Sequence, residues 1–354
     1  MIVKNEEKML KRTLPNLIKL VDEVILVDTG STDNTIKTAQ KYGAKVYNFP
    51  WINDFSAARN ESLKYAEGDW ILWADADEFI ESDDMEKIKA AIIDSKEIGF
   101  SLKISECREG EFKPLSYNFR PKIFKNKIGI HFERPINEQP YTQEGKIVVS
   151  LSKQLDIPVY HWGGFLAEDD LKKKKERNLE ILKKVVEGRQ NDEAYHYLLG
   201  MNYRDLELNE EAIKEFDKVI GISPTGKFGI QARADKAWCL YNLKKIKESY
   251  LEALEVLKLE PDNSSALNIA GAVHIALGEH EKAVEILKDS AAAPLKPDAV
   301  IVSLRQKEYL ANYLLSQAYL KLGKKAEAYE AAKKAYDFDP TDSARAAMET
   351  AKSN

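Results

Sequence analysis

Cysteine is scarce: the 354 residues hold only Cys107 and Cys239, and the two fall in regions that read below as different domains. That excludes a disulfide framework and a thiolate metal site, so any metal must be held by oxygen or imidazole. Long apolar runs are also missing. No stretch approaches the roughly 20 apolar residues that span a bilayer, and the opening Met1-Ile2-Val3-Lys4-Asn5-Glu6-Glu7 lacks the basic and apolar regions of a signal peptide. These absences predict a cytoplasmic protein without a transmembrane segment. Basic charge is not in excess either. Against 53 Lys and Arg stand 58 Asp and Glu, a net charge of −5, which argues against a nucleic-acid partner because such proteins present a basic field. The one basic run, Lys172 to Lys175, reads as the solvated start of a helix.

What is present falls into two patterns. The composition, 44% hydrophobic and 31% charged, suits two domains of about 100–200 residues each. The first half alternates short apolar runs with helical periodicity, as βαβ units do. Residues 23–27 read as a buried strand, 34–42 as a helix closed by Gly43, and 45–49 as the next strand. A helix over about 56–66 ends near Gly68, and the strand 70–74 runs into the acidic turn Asp75-Ala76-Asp77-Glu78. The pattern predicts an open, mostly parallel α/β sheet. From about Ala167 strand signals stop and helical periodicity continues to the end.

That helical half repeats itself. Starting a tetratricopeptide unit at Glu193 puts Leu199-Gly200, Tyr203, Ala212, Phe216 and Pro224 at the small, aromatic, small, bulky and helix-stopping positions of the motif. A second unit carries Ala237, Ser249, Ala253 and Pro261. A third carries Gly271, Gly278, Ala283 and Leu287, and a fourth Tyr319, Gly323, Ala328, Ala335 and Pro340. Around Pro294 and Pro297 the spacing loosens, which predicts an irregular or extended helix there. Stacked helix pairs form concave surfaces suited to extended peptides. Such a domain implies a polypeptide partner or, on the plainer reading, a stabilising solenoid or homodimer contact.

Two carboxylates at i and i+2 after an apolar strand, Asp75 and Asp77, can face one space, and hard oxygen ligands suit Mg²⁺ or Mn²⁺ held against a diphosphate. Ligands in open α/β sheets bind at such strand ends. A second strand-turn-helix junction, Val27-Asp28-Thr29-Gly30-Ser31-Thr32-Asp33-Asn34-Thr35, reads partly as a glycine turn in which Thr32 or Asp33 caps the next helix. Asp28, last in its strand, is placed to accept hydrogen bonds from a nucleobase or ribose.

Val27 to Thr35, Phe55-Ser56-Ala57-Ala58-Arg59-Asn60 and Trp73-Ala74-Asp75-Ala76-Asp77-Glu78 together resemble the inverting family 2 glycosyltransferases of GT-A fold. With Trp51-x-Asn53-Asp54-Phe55 and the C-terminal repeats, the chain is similar to the branch containing the sublancin-type bacterial peptide S-glycosyltransferases. The resemblance implies a GT-A domain over residues 1–165, a linking helix over 166–192 and a tetratricopeptide-repeat domain over 193–354. It further implies Asp28 at the uracil or ribose, Arg59 and Asn60 at the diphosphate, and Asp75 and Asp77 holding ribose and metal. An arginine suits that place independently, because its fork of donors matches phosphate oxygens.

Further along, Asn118-Phe119-Arg120-Pro121-Lys122-Ile123-Phe124 places Arg120 among the nucleotide-binding candidates. Ile136-Asn137-Glu138 stands where relatives often carry His-Glu, which makes Glu138 the expected base, with Glu133 as its rival. In Val159-Tyr160-His161-Trp162-Gly163-Gly164, His161 is expected to complete the metal shell, and Gly163-Gly164 to let a loop close over substrate. Relatives begin with a full strand, of which Met1-Ile2-Val3 is the part present, and Asn5 and Glu6 stand where the nucleotide pocket begins. The resulting expectation is a Mg²⁺- or Mn²⁺-dependent transfer of a sugar from a UDP-sugar to a Ser, Thr or Cys side chain of a polypeptide held by the repeats. Transfer to a cell-surface glycan or lipid-linked sugar is the alternative acceptor class. A non-catalytic repeat scaffold with a decayed sugar domain is the alternative without chemistry.

Overall fold

The computed structural model describes residues 1–163, 168–296 and 301–352. Gly164, the 165/166 boundary and Pro297 lie outside them. The chain divides into two compact units, Met1–Leu171 and Lys172–Asn354. No helix of the described residues is long and apolar enough to cross a membrane.

In the first unit the strands β1 (Ile2–Val3), β2 (Ile25–Asp28) and β3 (Lys45–Asn48) pair in parallel in that order. Helices α1 (Glu7–Leu17) and α2 (Thr35–Lys41) connect them. All four residues of β2 are buried, which is why it reads as a continuous apolar run rather than an alternating one. Asp28 is paired across to both Val3 and Asn48, so the loops leaving the three strands start side by side.

After α3 (Phe55–Leu63) come β4 (Trp70–Leu72), β5 (Glu78–Phe79), α4 (Ser82–Ile92), β6 (Gly99–Glu106), β7 (Ser116–Lys125) and the pair β8 (His131–Glu133) and β9 (Gln139–Tyr141). Strand β10 (Lys153–His161) closes the unit. Here β4 pairs antiparallel with β7, β7 antiparallel with β6, β6 parallel with β10, and β10 antiparallel with β5. Parallel pairing therefore dominates the first sheet, while the second is mixed. The short β6–β7 connection allows only an antiparallel pair. Buried Leu10, Leu14 and Leu26 fill the core beside the first sheet; Ile88, Phe100, Leu102 and Ile104 fill the other.

Among the described residues of the second unit, the regular elements are helices apart from the extended Val302–Ser303. Following α5 (Glu168–Gly188), the repeats are α6 (Glu193–Asp205) with α7 (Asn209–Ile222), α8 (Lys227–Asn242) with α9 (Ile246–Leu259), α10 (Ser264–Ala276) with α11 (His280–Ala292), and α12 (Ala311–Lys321) with α13 (Lys325–Phe338). A last helix, α14 (Asp342–Lys352), follows. The expected prolines Pro224, Pro261 and Pro340 each follow the second helix of a pair, and Pro294 stands in the same place after α11. The irregular stretch resolves into Val302–Ser303 and a π-helical turn, Arg305–Leu310, that runs into α12.

The small residues act where helices touch. A Cβ on Gly271 would collide with the buried Leu287 side chain, and one on Gly200 would come within 2.6 Å of the Phe216 ring. Gly271→Ala should therefore destabilise the repeats by about 1–3 kcal/mol through overpacking, despite alanine's better helix propensity. Urea denaturation reads this, and a stabilised variant would show that Leu287 moves aside freely.

Candidate active site

The loops after β1 and β2 are knitted together. Asn5, with φ of 58°, donates its backbone N–H to Ser31 Oγ at 2.9 Å and accepts the Thr32 N–H on Oδ1 at 2.7 Å. The Glu6 N–H donates to Thr35 Oγ1 at 2.7 Å. Asp28 is 4% exposed and accepts N–H bonds from Gly30 and Ser31, both at 3.0 Å, through a turn in which Gly30 has φ of 107°. Asp33 accepts the Thr35 N–H at 2.9 Å and so supports the first turn of α2, although the cap position expected at Thr32 or Asp33 falls on Asn34, whose side chain makes no capping bond. Asn5, Glu6 and Asp28 thus come together as one loop cluster, and much of their polarity sets the shape of that cluster.

Arg59 occupies the middle of the site. Asp54 caps α3 by accepting the Ala57 N–H at 3.0 Å, while Trp51 bonds Asn53 through Nε1 at 2.9 Å and packs edge-on against Phe55. The Trp51-to-Phe55 segment therefore builds the helix entry. One turn later Arg59, 5% exposed, donates Nε to Glu138 at 2.5 Å and Nη2 to Asp75 at 2.6 Å. Its guanidinium lies 4.4 Å over the Trp73 ring, a favourable cation–π placement. Expected at the diphosphate, this arginine is instead committed to two carboxylates. Burial alone would raise the Asp75 carboxyl pKa, but the charges of Arg59 and Lys122 hold it well below the usual range.

Lys122 was not legible as a site residue. Its side chain is 1% exposed, lies 2.6 Å from Glu78 and 3.7 Å from Asp75, and sits 3.6 Å over Trp73. The register between β6 and β7 shifts at this point, leaving Lys122 as the extra residue between Pro121 and Ile123. Such a bulge re-aims a side chain. Asp75 thus belongs to a buried charge network, and Glu78, whose Oε2 also accepts the Asp75 N–H at 2.9 Å, belongs with it.

Asp77 faces elsewhere. Its Oδ2 lies 3.3 Å from His161 Nε2, and His161 Nδ1 lies 2.8 Å from Glu106. The backbone of Gly163 runs so close that a Cβ there would collide with the Asp77 carboxylate, which gives this glycine a steric role beside the carboxylate. Burial alone would push the His161 pKa down, but bonds and charges from Asp77 and Glu106 outweigh it and hold it up at about 10. Among the described residues no three His, Cys, Asp or Glu side chains form a complete metal cluster. The donor set still fits a divalent cation, because a carboxylate oxygen and an imidazole nitrogen adjoin and Glu106 orients the ring from behind. Mg²⁺ typically takes only one or two protein ligands beside substrate phosphates.

The pKa of His161 gives a sign that can be checked. Below about 10 the metal-free site carries an imidazolium, so a cation bound through Nε2 must displace that proton. Affinity for Mn²⁺ in the presence of UDP should then rise by about tenfold per pH unit through neutrality. Calorimetry across pH measures this, and a flat profile would remove His161 from the ligand set.

The remaining candidates divide. Glu138 is at Arg59, whereas the Glu133 side chain, 43% exposed, lies 3.1 Å from the His131 ring. Asn60 faces the β8–β9 pair rather than open space: its Nδ2 donates to the Phe132 carbonyl at 2.8 Å, and its Oδ1 accepts the Phe132 N–H at 2.7 Å. Arg120 lies on β7 opposite Leu102, and its charge helps keep the Glu106 pKa low against burial and together with the His161 hydrogen bond.

Comparison with known proteins finds two matches along the chain. Residues 1–143 match Glycosyl transferase family 2, and residues 194–225 and 309–342 match the tetratricopeptide repeat. A TPR repeat-containing protein of Synechococcus elongatus is 36% identical over 138 residues, covering 39% of this chain and 34% of that protein. The SPbeta prophage-derived glycosyltransferase SunS of Bacillus subtilis is 26% identical over 227 residues, covering 62% of this chain and 52% of the relative. An uncharacterized glycosyltransferase of Rickettsia conorii is 25% identical over 275 residues, 72% of this chain and 91% of its own. The chain thus spans about a third and about half the length of the first two relatives.

Proposed function

We propose that the protein is an inverting, metal-dependent transferase that moves a sugar from a UDP-sugar to a polypeptide side chain; in support, residues 1–143 match Glycosyl transferase family 2 and tetratricopeptide-repeat matches follow them. The observation that carries this reading is the Asp77–His161 pair, backed by Glu106, close to the Arg59–Asp75–Glu138 cluster.

In this mechanism the loop cluster of Asn5, Glu6 and Asp28 receives the nucleoside, and Arg120 lies towards the phosphates. Asp77 and His161 would hold Mg²⁺ or Mn²⁺, which supplies charge stabilisation at the leaving diphosphate. A Ser or Thr oxygen or a Cys sulfur attacks the anomeric carbon as its bond to the UDP oxygen breaks. Glu138 takes the proton of the nucleophile, and the configuration inverts. The repeats bind the acceptor; a tetratricopeptide surface suits a polypeptide.

The test is a panel of UDP- and GDP-sugars with Mg²⁺ or Mn²⁺, with nucleotide release followed with and without Ser-, Thr- or Cys-containing polypeptides. Metal-dependent release from a UDP-sugar, stimulated by polypeptide, is the expected outcome. Stimulation by glycan or lipid-linked sugar alone would overturn the acceptor assignment. No release from any donor would favour a non-catalytic scaffold.

A further inference from the structure

Glu138 lies at the end of a turn that the main sheets do not hold. Strands β8 and β9 form a two-stranded sheet apart from the larger ones, extended by a single antiparallel bridge from Tyr141 to Ile147, and a hairpin with so little pairing is marginal in water. The connecting turn is also unfavourable in itself, with two non-glycine residues at positive φ, Arg134 at 80° and Asn137 at 55°. Something must hold it in place.

Helix α3 makes the attachment at successive points. The Phe55 N–H donates to the Pro135 carbonyl at 2.8 Å. One turn on, Arg59 reaches Glu138, and Asn60 takes both backbone groups of Phe132. Phe132 stands opposite Pro140 on β9, which has no N–H to offer. Its own N–H and C=O turn outward, and the Asn60 amide satisfies both, as a neighbouring strand would. The Phe132 ring is anchored in turn against Trp73 and Phe124.

The geometry points to Asn60 as a positioning residue for the acceptor half of the reaction: it clamps the 131–141 hairpin so that Glu138 stays beside Arg59 and Asp75. The Phe55-to-Asn60 motif then serves to splint the base, and Asn60 does not touch the nucleotide. This rests on the glycosyl-transfer reading, but its physical part, the clamp, can be measured separately.

Arg59 is a poor probe, because removing it leaves two carboxylates without their cation. Asn60→Ala is cleaner. It should lower kcat for the acceptor by about 100-fold, the scale expected when a reacting group is displaced by about an ångström. Affinity for UDP with Mn²⁺, read by calorimetry, should stay within about twofold of wild type. Hydrogen exchange of the 131–141 segment in the full-length protein should quicken while the rest of the unit keeps its protection. Asn60→Ser, whose hydroxyl is one bond shorter than the amide and reaches the Phe132 backbone only through a water, should give a kcat between those of wild type and the alanine variant and serves if the latter does not fold. Loss of UDP affinity in step with turnover would overturn the proposal in favour of a diphosphate contact. Unchanged turnover, or lost turnover with unchanged exchange in 131–141, would overturn it as well. If wild type releases nucleotide from no donor, the transferase reading fails, while the exchange measurement still decides whether Asn60 holds the hairpin.

Discussion

Asp77→Asn should lower turnover by roughly 100- to 1,000-fold under saturating metal while leaving the fold intact. The substitution keeps the shape of the side chain, including its close approach to Gly163, but removes the formal charge beside His161 Nε2. Asp75→Asn makes the contrast. Asp75 is bonded to Arg59 at 2.6 Å and lies 3.7 Å from Lys122, so its neutralisation leaves buried cations under-compensated and should destabilise the domain by about 3 kcal/mol. The two aspartates of one Asp-Ala-Asp turn thus have separable signatures, chemistry in one and stability in the other. Turnover and chemical denaturation of both variants decide the matter. Near wild-type turnover for Asp77→Asn would sink the metal assignment, and if only Asp75→Asn lost metal affinity the two roles would be exchanged.

The sequence made that turn visible but not the division of labour within it, for a physical reason. Local pattern reports what a residue's own strand or helix does: the run before Asp28, the helix beginning near Ser56 and the small residues at Gly200 and Gly271 all follow from period and turn chemistry. The partners of Arg59, Asp75 and His161 come from pairings between distant strands. Glu106 meets His161 only because β6 and β10 align them as register partners, and no local signal marks Glu106 in Ser105-Glu106-Cys107. Lys122 is harder still. A lysine in a β pattern reads as an outward-facing residue, and here it takes a register shift and a buried Glu78 to bring it in. Arg59 and Asn60 were found as a motif, yet what they touch depends on where the β8–β9 pair lands. The repeats were legible almost throughout because each helix pair is local in sequence, and their phase broke only where Val302–Ser303 and the π-helical turn intervene.

Glu138→Gln is expected to collapse transfer by about 100- to 10,000-fold, the usual worth of a positioned general base, with little change in UDP affinity. The geometry makes this a fair test of chemistry. Arg59 binds Glu138 through Oε1 at 2.5 Å, so the proton of the acceptor would go to Oε2, and a glutamine placed there can still accept the Arg59 hydrogen bond through its amide oxygen. The hairpin should therefore stay put, and hydrogen exchange over 131–141 should match wild type, unlike that of Asn60→Ala. Glu133 is the control. It is 43% exposed and touches the His131 ring but not Arg59, so Glu133→Gln should leave kcat nearly unchanged. The reverse pattern, loss in Glu133→Gln with none in Glu138→Gln, would move the base to Glu133. It would also leave the Arg59–Glu138 pair as a purely structural tie between α3 and the hairpin. Equal loss in both variants would count against a single base at Glu138, because a lone general base cannot be removed twice.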